Sequence, residues 1–84
     1  MMRIDLFLKK ARIVKRRTIS KEIILAGHVK INSKTAVPST KVKKDDCIEI
    51  KLGQSCYRIK VLCVDEKELQ KNPEACFTKE KIEL

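Results

Sequence analysis

The spacing of the apolar residues changes once along this chain, at Gly27, and that change limits the fold more than any other feature. Before it, Ile4, Phe7, Leu8 and Ala11 fall at i, i+3, i+4 and i+7, which is one face of a helix. The spacing predicts a first helix over residues 3–14, with Lys9, Lys10 and Arg12 turned off the apolar face. Asp5 lies in its first turn, where a carboxylate suits the positive helix end. A basic connector, Lys15-Arg16-Arg17, follows. A second helix is expected from about Ile19 to Ala26, with Thr18 or Ser20 as its N-cap. Ile19, Ile23 and Ala26 would line its apolar face, and Ile24 and Leu25 would widen it. Gly27 stops it, because glycine takes the left-handed conformation without steric penalty.

After Gly27 the period is two. Val29 and Ile31 alternate with His28 and Lys30, Asn32-Ser33-Lys34 is a turn, and Thr35 to Val37 returns until Pro38 ends the run. Ser39 to Asp46 reads as a polar loop. Cys47 to Leu52 is a strand with Ile48, Ile50 and Leu52 on one face, and Gly53-Gln54 turns into a last strand, Cys56 to Val64. There Tyr57, Ile59, Val61 and Cys63 alternate with Arg58, Lys60 and Leu62. From Asp65 the chain is polar and mixed in charge. Glu66 to Lys71 suits a helix, Pro73 interrupts it, and Cys76, Phe77, Ile82 and Leu84 are candidate anchors of a partly ordered tail. The expected fold is α+β, with two short N-terminal helices packed on a small, mostly antiparallel sheet over residues 1–64 and a polar C-terminal extension over 65–84.

A chain of 84 residues holds one modest core, because a domain near this size buries only about 60% of its unfolded surface. A deep enclosed pocket is not expected. The charge is uneven. Residues 1–34 carry ten basic and two acidic side chains, net +8 of the +9 total, while residues 35–84 carry ten and nine. A solvated surface needs no such segregation; a face for polyanions does. With the apolar helix faces turned inward, Arg3, Lys10, Arg12, Lys15, Arg16, Arg17 and Lys21 are pushed out together. His28 and Lys30 extend the basic run. Arginine adds a planar fork that grips a phosphate at two points.

The three aromatics, Phe7, Tyr57 and Phe77, leave few rings to stack on unpaired bases. Recognition of phosphates and shape in folded RNA is therefore favoured. A helix-turn-helix reader of DNA would show polar side chains on its second helix, which here is mostly apolar. A basic face for an acidic protein partner is a further alternative. Nothing reads as an active site. His28 is a lone histidine beside a basic segment, and Asp45 and Asp46 are adjacent residues that point apart. Cys47, Cys56, Cys63 and Cys76 contain no C-x-x-C pair, so neither a zinc site nor another metal or cofactor is expected. They read as small, half-buried, reduced residues. No apolar run approaches the roughly 18 residues of a membrane span, and none looks like a leader. A cytoplasmic monomer is expected.

Arg3-Ile4-Asp5-x-Phe7-Leu8, Lys15-Arg16-Arg17-Thr18 and Ala26-Gly27-His28-Val29-Lys30-Ile31-Asn32 together resemble the S-four RNA-binding domain. The likeness continues through Val42 to Asp46 into the strand at Cys47, and so covers residues 3–52. Among stand-alone members, the chain is similar to the small heat-shock protein fifteen group and most to the RqcP-type ribosome quality-control factors. That resemblance implies a non-enzymatic factor on large ribosomal subunits that still hold peptidyl-tRNA. Its partners would be large-subunit rRNA, the P-site tRNA and RqcH, whose C-terminal alanine tailing it would support. A recycling role of the heat-shock type is the alternative within the family. The resemblance carries over Arg3 and the Arg16-Arg17 pair as contacts, with Arg12 and Lys15 beside them, and Asp5 as the group that orients an arginine. Three positions depart from the family pattern. Arg16 stands where serine is usual, Asn32-Ser33 replaces Asn-Gly, and Lys44-Asp45-Asp46 replaces Pro-Gly-Asp.

Overall fold

Helices of seven and nine residues do not persist alone in water, so those of this chain exist by virtue of what they pack against. The computed structural model describes residues 1–82. In chain order these form β1 (Met2–Arg3), α1 (Ile4–Lys10), α2 (Arg17–Leu25), β2 (Val29–Ile31), β3 (Lys34–Thr35) and β4 (Lys41–Val42). There follow β5 (Cys47–Leu52), β6 (Ser55–Val61), α3 (Glu66–Lys71), a 3-10 turn (Pro73–Cys76) and β7 (Phe77–Ile82). One antiparallel sheet has the order β3-β2-β5-β6-β7, and β1 pairs with β4 in a separate two-stranded ribbon. This is the expected α+β architecture.

The core lies between the helices and one face of the sheet. Ile4, Phe7, Leu8 and Ala11, the predicted face of α1, are all buried. They meet Val29, Ile48, Ile50, Ile59 and Val61 in one cluster. Each of these side chains larger than alanine contributes about 1.5–3 kcal/mol on burial. The alternating partners Lys30, Lys51, Arg58 and Lys60 stand exposed, and the strand register sets them on the opposite face.

Both helices are shorter or shifted relative to the sequence reading. Helix α1 ends at Lys10 rather than residue 14. Arg12 turns left-handed (φ 61°), and the N–H groups of Arg12 and Ile13 donate to the carbonyls of Lys9 (3.0 Å) and Leu8 (3.0 Å). This is the Schellman closure. Helix α2 closes the same way, with Gly27 (φ 81°) in the left-handed place and the His28 N–H donating to the Ile23 carbonyl at 3.1 Å. Glycine is at ease there; an arginine in that conformation costs about 1–2 kcal/mol.

Helix α2 begins at Arg17, two residues before the expected start, and neither Thr18 nor Ser20 caps it. Arg16 is the N-cap residue and makes no side-chain cap, while the Ser20 hydroxyl donates back to the Arg16 carbonyl at 3.4 Å. The inward stripe is Arg17, Ser20 and Ile24, at i, i+3 and i+7. Ile19, Leu25 and Ala26, expected inside, are exposed, and Leu25 keeps 73% of its surface.

The loop expected over residues 39–46 contains β4, whose pairing with β1 was not legible locally. The β2–β3 hairpin turns on Asn32 (φ 49°) and Ser33 (φ 72°), the type I′ geometry that matches strand twist. Buried Asp46 organises this end. Its carboxylate accepts from Asn32 Nδ2 (3.1 Å) and the Lys43 N–H (2.9 Å), while the Cys47 N–H donates to Asn32 Oδ1 at 3.0 Å.

Of the segment expected to be partly ordered, residues 65–82 are built in. Asp65 caps α3 through the Lys67 N–H at 3.1 Å, Leu69 and Cys76 enter the core, and β7 pairs along β6 from Phe77 to Ile82. The sheet thus runs across residue 64. The expected anchor Leu84 lies outside the described residues. Tyr57, which alternates in phase with buried Ile59 and Val61, is itself half-buried, with the Lys79 ammonium 4.8 Å from its ring centre. Cys47, Cys56 and Cys63 are half-buried and Cys76 is buried.

Two outcomes follow. Ser33→Gly should stabilise the protein by about 0.5–1 kcal/mol in urea denaturation, the relief of a left-handed serine less the added freedom of the unfolded chain. Burial, with the neighbouring Cys63 thiol, pushes the Cys76 thiol up from its ordinary 9.0 to about 11. A raised thiol contributes stability that is full below the unfolded value and is lost as pH rises through the folded one. Iodoacetamide at pH 8 should therefore label Cys76 last of the four, as read by peptide mass spectrometry.

Candidate nucleic-acid interface

Asp5 is fully buried at the start of α1, where an unpaired carboxylate would be strongly unfavourable. Its place is set by the strand before it. Met2 and Arg3 pair with Val42 and Lys41, and the first N–H groups of α1 donate to the carbonyls of Thr40 (2.8 Å) and Pro38 (3.4 Å). Asp5 Oδ1 accepts from the Leu6 N–H at 2.7 Å. Its Oδ2 faces two guanidinium groups, Arg3 Nη2 at 3.1 Å and Arg17 Nε at 3.4 Å.

The arginines themselves remain at the surface, with 39% and 42% of their side chains exposed. The carboxylate therefore anchors two forks whose outer N–H groups still face solvent. Asp5 cannot itself reach a ligand; it positions the residues that do. Arg16, the residue before Arg17, is exposed, as is Lys21 one turn further along α2.

The remaining predicted residues lie in two other places. Lys10, Arg12 and Lys15 line an open groove of about 560 Å³, together with Lys9, which the sequence reading did not single out. Its far wall is Leu69 and Gln70 of α3, and only the tertiary fold brings that wall near. His28 and Lys30 line a depression of about 410 Å³ on the outer face of the sheet, with Lys51 and Arg58. Strand alternation placed Arg58 opposite Ile59, but finding it beside Lys30 required the register through Glu49. Among the described residues no three His, Cys, Asp or Glu side chains come together as a metal site would need. No helix among them is long and apolar enough to cross a membrane.

The arrangement offers fixed, half-exposed arginines and flexible lysines over the helical half, the equipment for binding phosphates without a stacking platform. Residues 2–48 match the S4 domain model. The chain is similar to the RQC P-site tRNA stabilizing factor of Streptococcus pneumoniae, at 44% identity over 73% of this chain and 69% of that one. It is similar to the factor of the same name from Listeria innocua, at 34% identity over 92% and 84% of the two chains. The Bacillus subtilis factor of that name is 40% identical over 71% and 70%. In fold the chain resembles Vibrio cholerae Heat Shock Protein 15, described as trimeric, with a TM-score of 0.83 over 94% of this chain and 81% of that one at 21% identity.

Asp5→Asn should lower stability in urea by about 1–2 kcal/mol, less than for a fully enclosed pair because both arginines reach water. The Arg17 Nε–H signal, which faces Asp5 directly, should collapse toward that of a solvent-exposed arginine in a nitrogen-edited NMR spectrum. A dispersed Arg17 Nε–H signal that survives the substitution would show that Asp5 does not hold that fork.

Proposed function

The chain belongs to the S4 domain family, in the group of RQC P-site tRNA stabilizing factors, and from that membership we propose that it grips peptidyl-tRNA and large-subunit rRNA on obstructed large ribosomal subunits. The observation that carries this reading is the buried Asp5 carboxylate holding Arg3 and Arg17 half-exposed, inside the residues that match the family. Guanidiniums fixed in advance lose little further freedom when they meet phosphate, and a bidentate fork reads phosphate geometry as well as charge.

The role so proposed is that of a clamp. Arg3 and Arg17 seat on backbone phosphates and Arg16 and Lys21 widen the contact, while His28 and Lys30 lie apart from it on the outer face of the sheet. Held against rRNA, the tRNA stays in place while RqcH adds alanine to the nascent chain. The protein works in the cytoplasm as a monomer and performs no chemistry of its own. The scarcity of rings supports shape and phosphate recognition rather than base reading, since Phe7 is buried and Tyr57 is half-buried beside Lys79.

The test is sedimentation of the tagged protein from lysate on a sucrose gradient. Wild type should travel with free large subunits, and Arg16→Ala/Arg17→Ala should stay at the top while still folded by circular dichroism, although with a lower thermal midpoint because Asp5 loses one of its two guanidinium partners. Arg17→Ala alone should weaken binding by about 1–3 kcal/mol, and exposed Lys67→Ala by almost nothing. Equal effects from those two, or wild type remaining at the top at low salt, would overturn the reading. Loss of alanine-tailed products in a deletion strain separates tailing from a recycling role.

A further inference from the structure

The groove between the end of α1 and α3 shares no residue with the Asp5 cluster, and its α3 wall, Leu69 and Gln70, lies outside the residues that match the S4 domain. Lys9, Lys10, Arg12 and Lys15 line it, the opposite wall is Leu69 and Gln70, and no carboxylate faces in. None of the four cations has an ion-pair partner within 4.0 Å among the described residues. Helix-dipole compensation accounts for Lys9 and Lys10, which sit in the last turn of α1. It does not account for Lys15, or for Arg12.

Arg12 is the more telling residue. It occupies the left-handed place of a helix closure that the same chain fills with glycine at Gly27. A non-glycine residue held in that conformation points to a use for its side chain. Here the use is visible, since Arg12 lines the groove. We propose that this groove is a second RNA-binding site, which seats a run of backbone phosphates between the end of α1 and α3. The proposal rests on the RNA-binding reading above and adds a second point of grip, so that one small chain engages two stretches of RNA backbone.

The lining favours RNA over an acidic peptide. A peptide needs apolar anchor pockets as well as charge, and the apolar groups here, Val14 and Leu69, are already buried in the core. Backbone phosphate needs only cations and an occasional amide donor, and Gln70 supplies the amide.

Two substitutions in the full-length protein test this, with binding to purified large ribosomal subunits carrying P-site tRNA measured across a salt series. Arg12→Gly should raise the thermal midpoint by about 2–5 °C, because it relieves the left-handed arginine. The same substitution should weaken binding about threefold or more and reduce the log–log salt slope by about 0.7–0.9, one phosphate contact. A residue that served only the fold would not move stability and affinity in opposite directions. Gln70→Glu leaves every cation in place and should also weaken binding, by putting a carboxylate into the groove. If both variants bind as wild type does, with the same slope, while Arg16→Ala/Arg17→Ala binds poorly, the groove proposal falls and the main reading stands. If the double variant also binds as wild type does, both fall. Unchanged subunit binding together with weakened capture of an acidic peptide would assign the groove to a protein partner and overturn the proposal.

Discussion

A carboxylate with no exposed surface imposes its requirements on everything around it. Asp5 loses its water on folding, a loss of several kcal/mol that only close partners offset. Those partners come from three neighbouring pieces of chain: Arg3 at the end of β1, the Leu6 N–H in α1 and Arg17 at the start of α2. Meeting the needs of one carboxylate thus sets how α1 and α2 approach each other. It also holds two long cationic side chains in place without burying them. A free arginine reaching for phosphate gives up rotamer freedom worth about 0.5–1.5 kcal/mol, and here part of that loss is taken during folding.

Asp46 plays the corresponding part at the far end of the sheet. It is nearly buried and draws in the Asn32 amide and the Lys43 N–H, so that the β2–β3 turn and the lead-in to β5 form one unit. This explains how a hairpin without glycine keeps two successive left-handed residues: Asn32 is held at both ends of its amide. The departures from the usual family residues at this turn are absorbed locally. They leave the helical half untouched.

The C-terminal stretch changes what the domain presents. Residues 2–48 match the family, yet β6, α3 and β7 complete the sheet and supply the second wall of the cationic groove. Polarity and mixed charge made this stretch look weakly structured. Its few apolar anchors suffice because they are specific. Leu69 and Cys76 enter the core, and β7 takes its order from the hydrogen bonds of β6 rather than from side-chain burial.

The sequence by itself determined what is periodic or compositional. The α1 face of Ile4, Phe7, Leu8 and Ala11, the bounds of β5, the alternation in β6, the stop at Gly27 and the basic N-terminal half follow from local spacing and charge. So does the family, because its motifs are ordered along the chain. Tertiary structure alone decided which face of α2 turns inward. Its apolar spacing favoured Ile19, Ile23 and Ala26, widened by Ile24 and Leu25; the tie from Arg17 to Asp5 brings Ser20 inward beside Ile24, and Ile19 and Leu25 are left in water. The β1–β4 pairing, the left-handed Arg12 and the groove against α3 were decided there too. The physical reason is common to all four. Periodicity records which residues prefer to leave water, whereas the partner each one meets depends on contacts between distant parts of the chain.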